Sequence, residues 1–176
     1  MTEGVNLDIG SRDMPVMIDS LREDLAPNGK IICIDKRAGW LMRSRPSVKN
    51  NYDLVSANGE TLPVANNTVD FIYAKDLFGA HGIAAITPDK KLVIEDVGEN
   101  LPQEWFRVCK PGAKVVIMEL ATPFPRKELI NQFSDAGFKL SESNEELDAN
   151  LVYKKEYRGL TLGAGDHPYS LVLKKP

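Results

Sequence analysis

Short apolar runs recur along the chain at 5–9, 30–34, 52–56, 69–73, 114–119, 138–141 and 169–173, and stretches with helical or turn-forming character separate most of them. Runs of this length, bounded by turn residues, suit strands better than helices. Between the first two runs, Val16, Met17, Ile18, Leu21 and Leu25 fall broadly on one helical face. Pro15 suits a first helical turn there, and Asn28-Gly29 supplies the exit. Thr87-Pro88-Asp89 predicts another helix start, residues 100–109 a helix stopping at Lys110-Pro111-Gly112, and residues 126–135 a helix stopping at Gly137. Strands alternating with helices in one domain imply crossover connections, hence a largely parallel sheet with helices on both faces. The tail departs from this. After Phe138 only 153–157 and 169–173 are strand-like, across a Gly-Ala-Gly-Asp-His-Pro turn. The expected fold is α/β, a doubly wound sheet of about seven strands with an antiparallel strand at the C-terminal edge.

With 176 residues the chain can bury a full core as a single domain, spanning 1–176, and is short for two. Its 43% hydrophobic and 27% charged residues are ordinary globular composition. A formal net charge of −3 argues against non-specific nucleic-acid binding by the whole molecule. Acidic and basic residues interrupt the first twenty positions, so no signal-like stretch is expected, and no run approaches the roughly 20 apolar residues of a membrane span. Cys33 and Cys109 lie in apolar runs without partners at metal-ligand spacing, which predicts buried free thiols, no metal site and a cytoplasmic setting.

In a doubly wound sheet, ligands bind outside the carboxyl ends of the strands where strand order reverses. Four such ends carry suggestive residues. Asp8-Ile9-Gly10-Ser11 closes the first strand, where Gly10 permits close backbone approach and the amides after it face an anionic group. Asp35 closes the second, placed to accept hydrogen bonds from both ribose hydroxyls of an adenosine ligand, or else a solvated strand-end acid. The third is ANGETLPVANNTVDFIY at 57–73, and the fourth FRVCKPGAKVVIMEL at 106–120.

Taken in order, LDIGS, ICID, NGETLPVANNTVDFIY, RVCKPGAKVVIME and SDAGFKL resemble a class I S-adenosylmethionine-dependent methyltransferase of the small-molecule type, over about residues 5–140. The resemblance implies a Rossmann-like fold and S-adenosylmethionine as cofactor. It places Asp8 and Gly10 at the cofactor's methionine end, with Ser11 in the same loop, and Asp35 on the ribose with Lys36 beside the adenine. Asn58, followed by Gly59, stands where the family usually has an aspartate that binds the adenine amino group. An asparagine oxygen accepts the same bond. Ala74 would lie under the transferred methyl group.

The departures are specific. Arg12 and Met14 stand where the family has further glycines. Arg12 either blocks the cofactor's amino-acid end or pairs with its carboxylate. The chain starts almost at its first strand, so the N-terminal helices that cover small substrates in many members are not expected, and a protein partner, a homo-oligomer or the 78–99 stretch would close the site. Methyl transfer is mainly a positioning task, with a base needed only for a protonated acceptor. Asp76 and His81 are the candidates by position, with His81 alternatively an ordinary loop histidine beside glycine. His167, in its turn, reads as structural. Lys36, Arg37, Arg43, Arg45 and Lys49 surround Trp40 without an acid among them. That stretch is either a solvated helix face or an RNA platform. Three readings are open: a small-molecule methyltransferase, an inactive binding or scaffold subunit on the same fold, and an RNA methyltransferase.

Overall fold

The computed structural model describes residues 4–10, 29–36, 52–75, 77–78, 84–86, 92–94, 100–119, 126–144 and 169–176. Strand β1 is Val5–Ile9, β2 Lys30–Asp35, β3 Tyr52–Ser56, β4 Val69–Lys75, β5 Ala84–Ile86 and β6 Leu92–Ile94. Helix α1 is Leu101–Val108, followed by β7 (Cys109–Glu119), α2 (Arg126–Asp135), β8 (Lys139–Asn144) and β9 (Tyr169–Lys174). The main sheet has seven strands in the order β3-β2-β1-β4-β7-β9-β8. The pairs β3–β2, β2–β1, β1–β4 and β4–β7 are parallel, and β9 runs antiparallel to both β7 and β8. This is the expected doubly wound sheet. The antiparallel strand on the C-terminal side is β9, one position inside the edge, which β8 forms.

Strand periodicity divides the sheet into two faces. Leu7, Ile9, Ile34, Ile72, Ala74, Val115, Ile117, Leu171 and Leu173 share the main core with residues of α1 and α2. Phe71 and Tyr73 lie on the opposite face, against Val116 and Met118. Each large aliphatic side chain buried in that main core contributes roughly 1.5–3 kcal/mol. Aromatic rings join the two helices to each other and to the segment after β4: Trp105 of α1 lies 5.5 Å from Phe133 of α2, and Phe78 packs edge-on to both, at 6.4 Å from each.

Helix α1 has proline in its first turn, Glu104 near its start and Arg107 in its last turn, an order that suits the helix dipole. It ends before Lys110-Pro111-Gly112, as expected, but β7 begins at Cys109 rather than at 114. Cys109 already pairs with Val69, and the ladder resumes with Lys114 opposite Phe71, so the proline-glycine turn is an irregularity within the strand. Gly112, with φ +83°, makes that excursion possible. The tail reinforces it. Lys175 Nζ donates to the carbonyls of Phe106 and Cys109 and to Asn67 Oδ1 at 2.8–2.9 Å, closing the C-terminal end of α1.

Helix α2 matches the expected 126–135 and ends near Gly137, whose φ is +107°. After β4 the chain forms two short strands in place of a helix starting at 87. Strands β5 and β6 pair antiparallel, Ile86 opposite Leu92, and 87–91 lie outside the described residues. The expected helix at 14–25, the basic stretch 37–49 and the strand-like 153–157 also lie outside them. Cys33 and Cys109 are buried thiols outside any disulfide, and burial pushes the Cys109 thiol up to about 12, with Lys175 pulling the other way. No described helix is long and apolar enough to cross a membrane.

Candidate functional site

Chain order reverses about β1, which has β2 on one side and β4 on the other. The carboxyl ends of these strands therefore flank the crevice where ligands of such sheets bind. Asp8 pairs in register with Cys33 and Tyr73, and Asp35 lies two residues beyond Cys33. Parallel pairing thus puts both carboxylates on one face of neighbouring strands. Asp8 is 4% exposed and Asp35 7%. Burial first, and then the Asp35 charge, push the Asp8 carboxyl up to about 7.

Gly10 follows β1 with φ +77°, a conformation that favours glycine. Its N–H donates to the Ile34 carbonyl at 2.8 Å, tying the turn to the end of β2. A Cβ built there would stand 2.9 Å from Leu77 Cδ1. The close approach that Gly10 permits in this structure is therefore with the segment leaving β4. One strand further out, Ala57 N–H donates to the Asp35 carbonyl at 3.2 Å, so the chain leaving β3 passes directly beside Asp35.

The next residues form an Asx turn: Asn58 Oδ1 accepts the Glu60 N–H and the Asn58 carbonyl the Thr61 N–H, each at 3.1 Å. Asn58 is exposed, and its side-chain oxygen keeps a second lone pair. Gly59 lies so close to α1 that a Cβ would stand 3.2 Å from Leu101 Cδ1. Lys36 is exposed at the end of β2, and its carbonyl lies 3.5 Å from the Ser56 hydroxyl. Ala74 pairs with Ile9 and turns its methyl into the main core, leaving its backbone at the strand end. The structure thus gathers Asp8, Gly10, Asp35, Lys36, Asn58, Gly59 and Ala74 around the ends of β1 to β4. Ser11, Arg12, Asp76 and His81 lie outside the described residues.

Three residues that matter to this geometry were not among the candidates. Glu104 Oε1 accepts the Leu62 N–H at 2.7 Å, and Arg107 Nε donates to Glu104 Oε2 at 2.6 Å. Arg107 also donates to the carbonyls of Leu62 and Val64 and to Asn66 Oδ1. Together they clamp the chain beyond the Asx turn onto α1. Glu119, fully buried at the end of β7, accepts the Phe78 N–H at 3.0 Å. Both acids are plain in the sequence, Glu104 just ahead of RVCK and Glu119 closing VVIME. Their partners lie about forty positions away, where periodicity is silent.

No family model matches the chain. A ubiquinone/menaquinone biosynthesis C-methyltransferase, UbiE, from Pasteurella multocida is 27% identical over 158 residues, covering 86% of this chain and 52% of that protein. A demethylmenaquinone methyltransferase from Anoxybacillus flavithermus is 28% identical over 126 residues, covering 69% of this chain and 46% of its own length. The chain thus spans about half the length of these curated relatives. Among solved structures, a SAM-dependent methyltransferase from Methanosarcina mazei superposes with a TM-score of 0.67 at 15% identity, covering 99% of this chain and 94% of that one. Sheet order, strand-end geometry and these similarities agree: the chain has the fold of class I S-adenosylmethionine-dependent methyltransferases and is similar in sequence to curated methyltransferases.

Proposed function

We propose that the chain binds S-adenosylmethionine across the ends of β1 to β4 and transfers its methyl group to a small-molecule acceptor. The observation that carries this reading is the alignment of two buried carboxylates, Asp8 and Asp35, beside the Gly10 turn and the exposed Asn58 turn. The donor set fits the cofactor, which offers ribose hydroxyls, an ammonium group and an adenine amine to acceptor oxygens. When bound, the cofactor supplies an electrophilic sulfonium methyl.

Asp35 would accept both ribose hydroxyls, with Lys36 alongside the adenine. Asn58 would use the remaining lone pair of its oxygen for the adenine amine, and Gly59 keeps that turn tight on α1. Asp8 would face the ammonium group, whose charge favours the ionised form of an acid otherwise half protonated near neutrality. Gly10 and Ser11 would line the methionine end, and Arg12 would pair with its carboxylate. The backbone at Ala74 would border the methyl group. Asp76 or His81 would take the proton from a phenol- or ammonium-type acceptor. The UbiE and demethylmenaquinone enzymes are named for small-molecule pathways, which supports a small-molecule acceptor over RNA. A second protein or a second copy of the chain would cover the acceptor, and buried thiols outside any disulfide suit a cytoplasmic setting.

Calorimetric titration with S-adenosylmethionine and S-adenosylhomocysteine tests the reading. Micromolar binding, weakened at least about tenfold by Asp35→Ala, is the expected result. No heat and no thermal shift at millimolar ligand would overturn it in favour of a binding or scaffold role.

A further inference from the structure

We propose that Glu119 is a positioning residue for the methyl-transfer site, acting through the main chain at Phe78 and the contact of Leu77 with Gly10. The inference rests on the reading of the strand ends as a cofactor site and adds a residue to it.

Glu119 ends β7, in register with Tyr169 of β9 and on the side of the sheet that carries Val115 and Ile117. It is 0% exposed. A carboxylate withdrawn from water is costly unless the donors around it are well placed. One such donor is the Phe78 N–H, at 3.0 Å. This bond joins the end of β7 to the segment that leaves β4. The Phe78 ring is inserted against Trp105 and Phe133, so the residue is held at its amide and at its side chain. The preceding residue, Leu77, lies against the Gly10 turn, its Cδ1 2.9 Å from where a Cβ on residue 10 would stand. Two consecutive residues thus transmit the position of Glu119 to the turn after β1, on the methionine side of the proposed cofactor. The Tyr169 hydroxyl, buried beside Glu119, has no hydrogen-bond partner among the described residues. Through Oε1 the carboxylate thus meets the main chain at Phe78, and the cross-strand phenol does not hydrogen-bond it.

The test uses the isotope-labelled full chain as wild type, Glu119→Gln and Glu119→Leu, with S-adenosylhomocysteine as the probe. Amide exchange at Phe78 and the dissociation constant are measured on each. The leucine variant is expected to lose protection at Phe78 and to bind about tenfold more weakly, while glutamine, whose amide oxygen still accepts, stays within about threefold on both. Rescue by glutamine and not by leucine distinguishes positioning from packing, because leucine suits an apolar site as well. Lost protection with unchanged affinity overturns the inference, and so does equal weakening by both variants. If the leucine variant does not fold, Leu77→Ala decides: it keeps the Phe78 bond and cuts the Gly10 contact, so unchanged affinity overturns the inference and about a tenfold loss supports it. Absence of binding by the wild type at millimolar probe defeats the cofactor reading and this inference with it. That outcome is distinct from a failure confined to the variants.

Discussion

Asp8 is held in a place where its charge is unwelcome. Its carboxyl is raised from 3.8 to about 7, first by burial and second by Asp35. Between those values the folded chain keeps a proton that the unfolded chain has released, so stability falls as pH rises from about 4 toward 7 and is level above. Asp8→Asn keeps the shape and removes the ionisation. Thermal melts across pH 4–8 should show the variant close to wild type at the acid end and increasingly more stable toward neutrality, with a ceiling of about 4 kcal/mol. A difference that does not change with pH would sink the argument. The same variant should bind S-adenosylhomocysteine more weakly, since an amide cannot offer a full charge to an ammonium group. A residue that costs stability while serving a ligand is the usual mark of a site.

Between α1 and the chain after β3, Glu104 and Arg107 act as one device. Arg107's hydrogen bond holds the Glu104 carboxyl below its ordinary value, with the Leu62 N–H adding to it and burial opposing. That contribution is present at neutral pH and disappears as acid protonates Glu104. Arg107→Ala should cost about 1–2 kcal/mol by urea titration at pH 7, toward the lower end because the Arg107 side chain is 35% exposed. The loss should shrink at pH 3, and a pH-independent loss would contradict the account. Much at this scale was legible: the 126–135 helix follows from its periodicity and the Gly137 stop, and the strand-end positions of Asp8, Gly10 and Asp35 follow from short apolar runs closing on polar residues. The clamp was not, because the i,i+3 spacing of Glu104 and Arg107 shows only that they share a helix face and not which distant loop they hold. Glu119 was missed for a related reason. An acid ending an apolar run reads as solvated, and only the register with β9 encloses it.

Strand order carries the last part of the chain back into the interior of the sheet. The last strand in sequence, β9, lies between β7 and β8, pairing with β7 from Lys114 to Glu119 and with β8 from Lys139 to Asn144. The apolar run identified 169–173 as a strand, and the lack of a helix after Phe138 with the Gly-Ala-Gly-Asp-His-Pro turn gave its antiparallel sense, whereas its insertion inside β8 depends on long-range pairing that no local signal carries. The placement has a consequence for the whole fold. A chain ending at residue 168 would strip β7 of its outer neighbour, leave β8 without its strand partner among the described residues, and remove Leu171 and Leu173 from the main core. It would also lose Lys175, which bridges the end of α1 to Asn67 and stacks 4.3 Å over the Phe106 ring. Two core leucines alone correspond to several kcal/mol, a large part of a stability of roughly 5–15 kcal/mol. The truncated chain should therefore show no cooperative thermal transition and a collapsed amide spectrum. Leu140→Ser, on the outer strand where the side chain is 42% exposed, should stay within about 0.5 kcal/mol of wild type. A truncated chain that melts cooperatively near the wild-type temperature would mean that the parallel strands β1 to β7 fold on their own, and that the antiparallel edge is an addition to the site-bearing half and not a condition for it.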